Sequence, residues 1–352
     1  MNLPTLPARS PDELPCTAAE VDGFLARPTA QVLEVIARTP GPFLVLGAGG
    51  KIGLHLSGML RSALDHWGRA DRVIAVSRFR SLRDQAAFAR LGVETLAADL
   101  GNSAELASLP AAPTVFFLAG IKFGTATSPE LLRATNITLP ATIAERFCRS
   151  RIIAFSSGCV YPFVHHTSGG ATEATPLAAV GDYAASCIAR EEALAQAAAT
   201  RGTAIVLLRL NYATEFRYGL LLDIADAVYC RRPIDVTTGY GNVIWQRDAV
   251  AQAIQSLELA ASPAVAVNLT GAETLSVRAI ATRFGALFNV PVEIVGTEAE
   301  TAWLNNASYS HRLFGTPPTS LATMLTWTAA WRRQGGETWG KPTGFERRDG
   351  RF

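Results

Sequence analysis

The sequence predicts an α/β protein, a doubly wound parallel sheet with a smaller C-terminal lobe. Three observations carry this. From residue 43 onward short apolar runs alternate with helical stretches, the rhythm of βαβ units. The runs are apolar on consecutive residues rather than on every second one, as strands covered on both faces are. The first run leads straight into a glycine-rich turn, 47-GAGGKIG-53, and then into a helical pattern.

Length and composition bound the possibilities. At 352 residues the chain is one large domain or two coupled ones, long enough for a sizeable core. Hydrophobic residues make up 49% and charged residues 18%, which excludes disorder. The net charge is +2 with no long Lys/Arg run, so neither nucleic acid nor a membrane is expected as a partner. Five cysteines, an odd number without a CxxC pair, fit neither a disulfide scaffold nor a zinc ribbon. The opening MNLPTLPARSPDELPC holds no signal-peptide run, and no stretch reaches ~18 uninterrupted apolar residues. A cytoplasmic location is therefore expected. Only three of the 32 basic residues are lysines, Lys51, Lys122 and Lys341, so the place of each matters.

Taken in order, residues 1–41 are Pro-punctuated with helical patterns at 18–26 and 30–38, and read as an N-terminal extension packed on the main body. The strands are 43-FLVLG, 72-RVIAVS, 93-VETLAA, 114-TVFFLAG, 151-RIIAFSS and 203-TAIVLLRL. Helical patterns lie at 50–67, 82–91, 129–148 and 183–200, and right-handed crossovers join the strands into one parallel sheet. After Leu210 the rhythm changes. Helices near 218–230 and 248–260 precede a further strand, 264-AVAVNLT. The tail carries a helix at 276–289, a short 291-PVEIV strand and an aromatic helix at 320–331. The domains read as 42–210 for a dinucleotide-binding unit, continued by the helix and strand at 247–270. Residues 211–246 and 271–352 form a substrate-binding lobe over the carboxyl edge of the sheet, where such folds bind ligands. Trp303, Trp327 and Trp331 are expected in the core of that lobe.

The glycines carry the first chemical signal. Gly47, Gly50 and Gly53 give a tight turn, a close approach to a pyrophosphate and close helix–strand packing, and the helix start offers free N–H groups to phosphate. Gly47, Gly49, Gly50, Lys51, Ile52 and Gly53 are thus expected to cradle a dinucleotide in a Rossmann-like fold. After the second strand an acidic residue would hold the ribose hydroxyls. Here the sequence reads 76-VSRFR-80, and Ser77 with Arg78 suits a 2′-phosphate, favouring NADP over NAD.

The whole set resembles the extended short-chain dehydrogenase/reductase family, the NAD-dependent epimerase/dehydratases. The resemblance runs from about Phe43 to Trp331 through 98-ADL-100, 118-LAG-120, Asn136, 156-SSGCVY-161, 183-YAASC-187, 209-RLNYA-213 and 245-WQRD-248. It implies that Asp99 and Leu100 flank the adenine, that Leu118, Ala119 and Gly120 line the cofactor, and that Asn136 fixes the backbone nearby. It implies Ser157 and Tyr183 as the catalytic hydroxyls, with Tyr183 and Asn211 also at the cofactor. A phenol with a pKa near ~10 must be made more acidic to act at neutral pH.

Where the family has a lysine four residues after the tyrosine, this chain has Cys187, which reads as a small buried residue. Lys122, in 119-AGIKFG-124, sits where the similar UDP-galactose 4-epimerases carry a lysine contacting cofactor phosphate; that contact is the expected one, with reach toward Tyr183 in place of the missing lysine as the alternative. The Asp-Glu pair of the 4,6-dehydratases is replaced by Gly158 and Cys159, and an arginine typical of sugar-nucleotide enzymes by Gly241. A nucleotide-free, carbohydrate-like small molecule is thus the expected substrate. Ser157, His165, Asn211, Arg217, Tyr218 and Trp245, with His166 and Arg247 nearby, are its candidate contacts. The paired histidines lack a third ligand at metal spacing, so no metal is expected. The resemblance further implies a homodimer through the helices at 129–148 and 183–200. Two readings follow: an NAD(P)-dependent oxidoreductase or epimerase acting at a secondary alcohol, or an NAD(P)-binding sensor that keeps the fold without the chemistry.

Overall fold

The computed structural model describes residues 14–79, 82–122 and 128–350, without the side chains of 82–84. Residues 1–13 of the N-terminal extension, and Arg80, Phe123 and Gly124 of the quoted motifs, lie outside the described residues. Seven parallel strands form the central sheet: β1 (Phe43–Leu46), β2 (Val73–Ser77), β3 (Glu94–Ala97), β4 (Thr114–Phe117), β5 (Arg151–Ser157), β6 (Ile205–Leu210) and β7 (Val265–Leu269). Their order is β7-β6-β5-β4-β1-β2-β3. The chain order reverses between β1 and β4, where Phe43 pairs with Thr114 and Leu46 with Phe117. A crevice opens at such a switch point, over the carboxyl ends of the strands.

The apolar runs bury both faces, as their composition requires. Phe43 and Val45 point to a core shared with helices α2 (Ala30–Arg38), α3 (Gly53–His66) and α10 (Gln246–Gln255). Leu44 and Leu46 point the other way, to a core shared with α5 (Ser103–Ser108), α7 (Leu139–Arg146) and α8 (Gly181–Arg201). Strand β3 departs from the expectation of two buried faces, for Glu94 and Ala97 are exposed. It is the sheet's edge, with a neighbour on one side only.

A third core holds the C-terminal lobe together, built on α9 (Leu220–Tyr229), α11 (Val277–Phe288) and α13 (Leu321–Arg333). Val21, Phe24 and Leu25 of α1 (Ala18–Leu25) join it, so the N-terminal extension contributes core to the lobe. Phe24 meets Trp327 edge-on at 5.3 Å between ring centroids. Trp331 is buried in this core. Among the described residues no helix is long and apolar enough to cross a membrane.

Candidate active site

A cavity of about 300 Å³ lies over the carboxyl ends of β1, β4, β5 and β6. Its floor begins at the glycine turn. Gly47 has φ +80°, and a Cβ there would strike the backbone of Ala119, while one on Gly53 would strike Ala48. The turn therefore passes close under β4's end and delivers Lys51 and Ile52 to the cavity wall as α3 begins. This backbone cradle at a helix start fits a dinucleotide's pyrophosphate. Ser77 ends β2 beside the turn, its Oγ within reach of Gly49, and Arg78 follows with its side chain exposed.

The opposite wall comes from β4 and the helical segment after it. Leu118, Gly120 and Lys122 line the cavity. Asn136 sits in a π-helical turn, Arg133–Thr138, of the kind often found at functional sites. Its Oδ1 accepts from Ile121 N at 2.9 Å, and its Nδ2 donates to Ile121 O at 2.9 Å and to Ser186 Oγ at 3.0 Å. Asn136 thus clamps the strand end from behind while lying wholly buried. Asp99 is exposed and caps its own turn by accepting from Gly101 N at 2.9 Å, while Leu100 is buried.

Ser157, Tyr183, Cys159 and Asn211 line the cavity together. Ser157 closes β5 and caps the 3-10 turn Gly158–Val160. Its Oγ donates to Cys159 Sγ at 3.1 Å and accepts from Cys159 N at 3.3 Å. Tyr183 and Cys187 share one face of α8, one turn apart. Burial pushes the Tyr183 phenol well above its ordinary range; the two thiols push the same way, and only Arg190 opposes them. Hydrogen bonding to Cys187, reinforced by burial, pushes the Cys159 thiol up. The same bond outweighs burial at Cys187 and lowers its thiol, with Arg190 and Tyr183 helping. Cys187 is 1% exposed.

Two of the chain's three lysines, Lys51 and Lys122, line this cavity, and Lys341 borders a second one. Lys51 Nζ stands 3.1 Å from the centroid of the Tyr218 ring. Burial, then the charges of Lys341 and Lys122, bring Lys51 down to about 8. Burial also lowers Lys122, whose charge is felt by Cys159 and Cys187. Its Nζ donates to Thr343 O at 3.4 Å. Thr343 is held in turn by Asp223, whose Oδ2 accepts from its backbone N at 2.7 Å and its Oγ at 2.6 Å. The C-terminal tail so forms part of the cavity wall.

Several expected substrate contacts lie elsewhere. Trp245 is fully buried, edge-on to Phe216 at 5.0 Å and to Trp327 at 5.3 Å, because lobe packing claims its ring. Arg217 is buried among ion pairs, 2.9 Å from Asp22 and 3.2 Å from Glu215, and borders a separate cavity that it shares with Tyr218 and Lys341. His165 is exposed and stacks on His166 at 4.7 Å, away from the cavity. Arg247 donates its Nε to Arg27 O at 3.0 Å. Tyr218 and Asn211 do line the cavity, and so does Trp303, assigned above to core alone. Tyr212, Gln246, Thr343 and Arg190 line it without having been singled out. Among the described residues no cluster of metal-ligating side chains occurs, and all five cysteines are free thiols.

Comparison with known proteins bears on the fold. Residues 43–213 match the NAD dependent epimerase/dehydratase family. A double mutant of DesIV, a dTDP-glucose 4,6-dehydratase from Streptomyces venezuelae with NAD and DAU bound, superposes with a TM-score of 0.71 at 18% identity, over 83% of this chain and 97% of that one. A short-chain dehydrogenase/reductase superfamily protein from Agrobacterium tumefaciens with bound NAD gives 0.69 at 18% identity, over 83% and 97%. The UDP-glucuronic acid 4-epimerase of Bacillus cereus with NAD gives 0.68 at 19% identity, over 83% and 98%. At such identities the likeness is one of fold. No protein with a curated description matches significantly.

Proposed function

Residues 43–213 match the NAD dependent epimerase/dehydratase family, and from that match we propose that the chain is an NAD(P)-dependent oxidoreductase or epimerase of this kind, acting at a secondary alcohol or ketone of a sugar-like small molecule. The observation that carries the reading is the convergence of the glycine turn, Ser157 and Tyr183 on one cavity. The bound nicotinamide supplies the hydride acceptor or donor. Tyr183 exchanges the proton of the substrate hydroxyl, and Ser157 Oγ hydrogen-bonds the same oxygen as charge develops on it. Trp303 and Tyr218 offer flat apolar walls to a sugar ring, and Asn211 a polar edge.

Gly158 and Cys159 follow Ser157 where a dehydratase of this family would carry an acid pair, which supports oxidation, reduction or epimerisation over elimination. Gly241 lacks a charge for a diphosphate, which supports a substrate without a nucleotide. Ser77 and exposed Arg78 at the end of β2 support NADP over NAD. Helices α7 and α8 pack together on one face, with Leu131 exposed on the preceding turn, and support a homodimer built there. Free thiols and the lack of a candidate membrane helix among the described residues support a reducing, cytoplasmic setting.

Cofactor titration, followed by a screen of sugars, sugar acids and polyols for NADP⁺ reduction, tests the reading. Dinucleotide binding with turnover on a nucleotide-free polyol is expected. Turnover confined to nucleotide sugars overturns the substrate assignment, and failure to bind either dinucleotide overturns the function. Light scattering at micromolar concentration tests the dimer, which a monomer mass refutes.

A further inference from the structure

Cys187 leaves the tyrosine's turn of helix α8 without a positive charge, yet the buried phenol needs one nearby to ionise at neutral pH. The next cation along the helix is Arg190, one turn beyond Cys187. Helical side chains lean toward the helix N-terminus, so a long residue covers the turn before its own. Arg190 therefore reaches back over the turn that holds residue 187.

The guanidinium is fixed there by three acceptors. Its Nη1 donates to Phe155 O at 3.0 Å, and its Nη2 donates to Ala119 O at 2.9 Å and Asn136 Oδ1 at 3.0 Å. These acceptors lie on β5, at the end of β4 and in the π-helical turn. Arg190 is 5% exposed and lines the cavity with Tyr183 and Ser157. Any side chain at Gly120 would strike its Nη2, so Gly120 makes room for it. The Arg190 Nε–H is buried with no acceptor among the described residues, a condition uncommon in protein interiors. Its charge acts on Tyr183 and Cys187 alike. Unlike a buried lysine, a guanidinium keeps its proton throughout the working range.

We propose that Arg190 is the positioning cation of this site, its clamped guanidinium providing beside Tyr183 the fixed positive charge that position 187 does not. This rests on the reading of Tyr183 as acid–base group, but its test needs no substrate. The ionisation of Tyr183 is read as the tyrosinate ultraviolet difference between each protein and its Tyr183→Phe partner. In Arg190→Gln the midpoint should rise by about one pH unit or more, and adding Cys187→Lys to Arg190→Gln should bring it back. An unchanged midpoint in Arg190→Gln overturns the proposal. Where Arg190→Gln alone does not fold, the doubly substituted protein decides: a midpoint like that of the wild type supports the proposal, and one about a unit higher overturns it. With a substrate in hand, the pH–rate profile of Arg190→Gln should shift to alkaline pH. A loss equal at every pH would mark Arg190 as structural only. Failure of dinucleotide binding in the wild type would overturn the enzymatic reading while leaving the phenol titration to judge Arg190.

Discussion

Arg209 and Glu191 form a buried ion pair between strand β6 and helix α8, Nη2 to Oε2 at 2.7 Å. Arg209 Nε also donates to both carboxylate oxygens at 3.1 Å, and Nη1 to the Tyr161 hydroxyl at 2.7 Å. Ser156 Oγ donates to Glu191 Oε1 at 2.5 Å. Glu191 thus ties the helix that carries Tyr183 to β6 through Arg209 and to the strand that carries Ser157 through Ser156. Removing one partner strands the other's charge in a dry interior. Arg209→Met is expected to lower the unfolding free energy by roughly 3–5 kcal/mol. Urea denaturation checks this, and a change within the noise of a surface substitution would contradict it.

Tyr183→Phe removes the hydroxyl and keeps the ring. Turnover should fall by about 10²- to 10⁴-fold, the usual worth of a placed acid–base group, while the cofactor dissociation constant stays within about twofold. Cys187→Ala should be mild, because a small buried side chain is replaced by a slightly smaller one. Loss of turnover in a folded Cys187→Ala protein would instead make the thiol catalytic.

Arg78→Asp exchanges a cation for an anion at the end of β2. NADP affinity should drop by about ten- to a hundredfold relative to NAD, the worth of one charge-assisted contact at about 1.5–3 kcal/mol. Equal affinities for the two dinucleotides before and after the change, measured by calorimetry, would remove Arg78 from the cofactor site.

Lys51 gives cofactor binding a pH dependence. Burial brings its amine down to about 8, and a bound phosphate raises that value by favouring the ammonium. Affinity is then complete below about pH 8 and declines as pH climbs toward the raised, ligand-bound value. Lys51→Met should bind more weakly and with a flat profile over that interval. A wild-type profile equally flat would show that Lys51 does not meet phosphate.

Asp22 makes an acid-sensitive contact between α1 and the lobe. Burial pushes its carboxyl up, but the bond with His55 and the charge of Arg217 outweigh it and hold it below the ordinary carboxylate value. A folded pKa below the unfolded one contributes stability above the unfolded value, and that stability is lost as pH falls through the folded one. Asp22→Asn should therefore destabilise at pH 7 and lose less of its stability than the wild type below pH about 4. Chemical denaturation at the two pH values checks the sign.

Much of the fold is legible in the sequence because local rules decide it. Consecutive apolar residues locate β1, β2, β4, β5 and β6 to within about two residues, and the glycine turn places the switch point. Strand β3 misleads because edge position is a property of the sheet, not of 93-VETLAA itself. The site is legible where backbone geometry dictates residue type, as at Gly47 and Ser157. It is less so where a side chain's direction decides. Trp245 and Arg217 have ligand-binding chemistry but turn into lobe packing and ion pairs that no local pattern announces. Arg190 left a signal, a cation one turn past Cys187 on an Ala-rich helix, legible once side-chain lean is considered.

The cavity wall formed by Thr343 has a consequence for how this protein can change through descent. That wall belongs to a trailing segment hung on Asp223 rather than to the sheet. Insertions, deletions and substitutions there disturb few of the contacts on which the sheet's two cores depend. A change at Thr343 thus reshapes one wall of the cavity while the glycine turn and the sheet's two cores stay as they are.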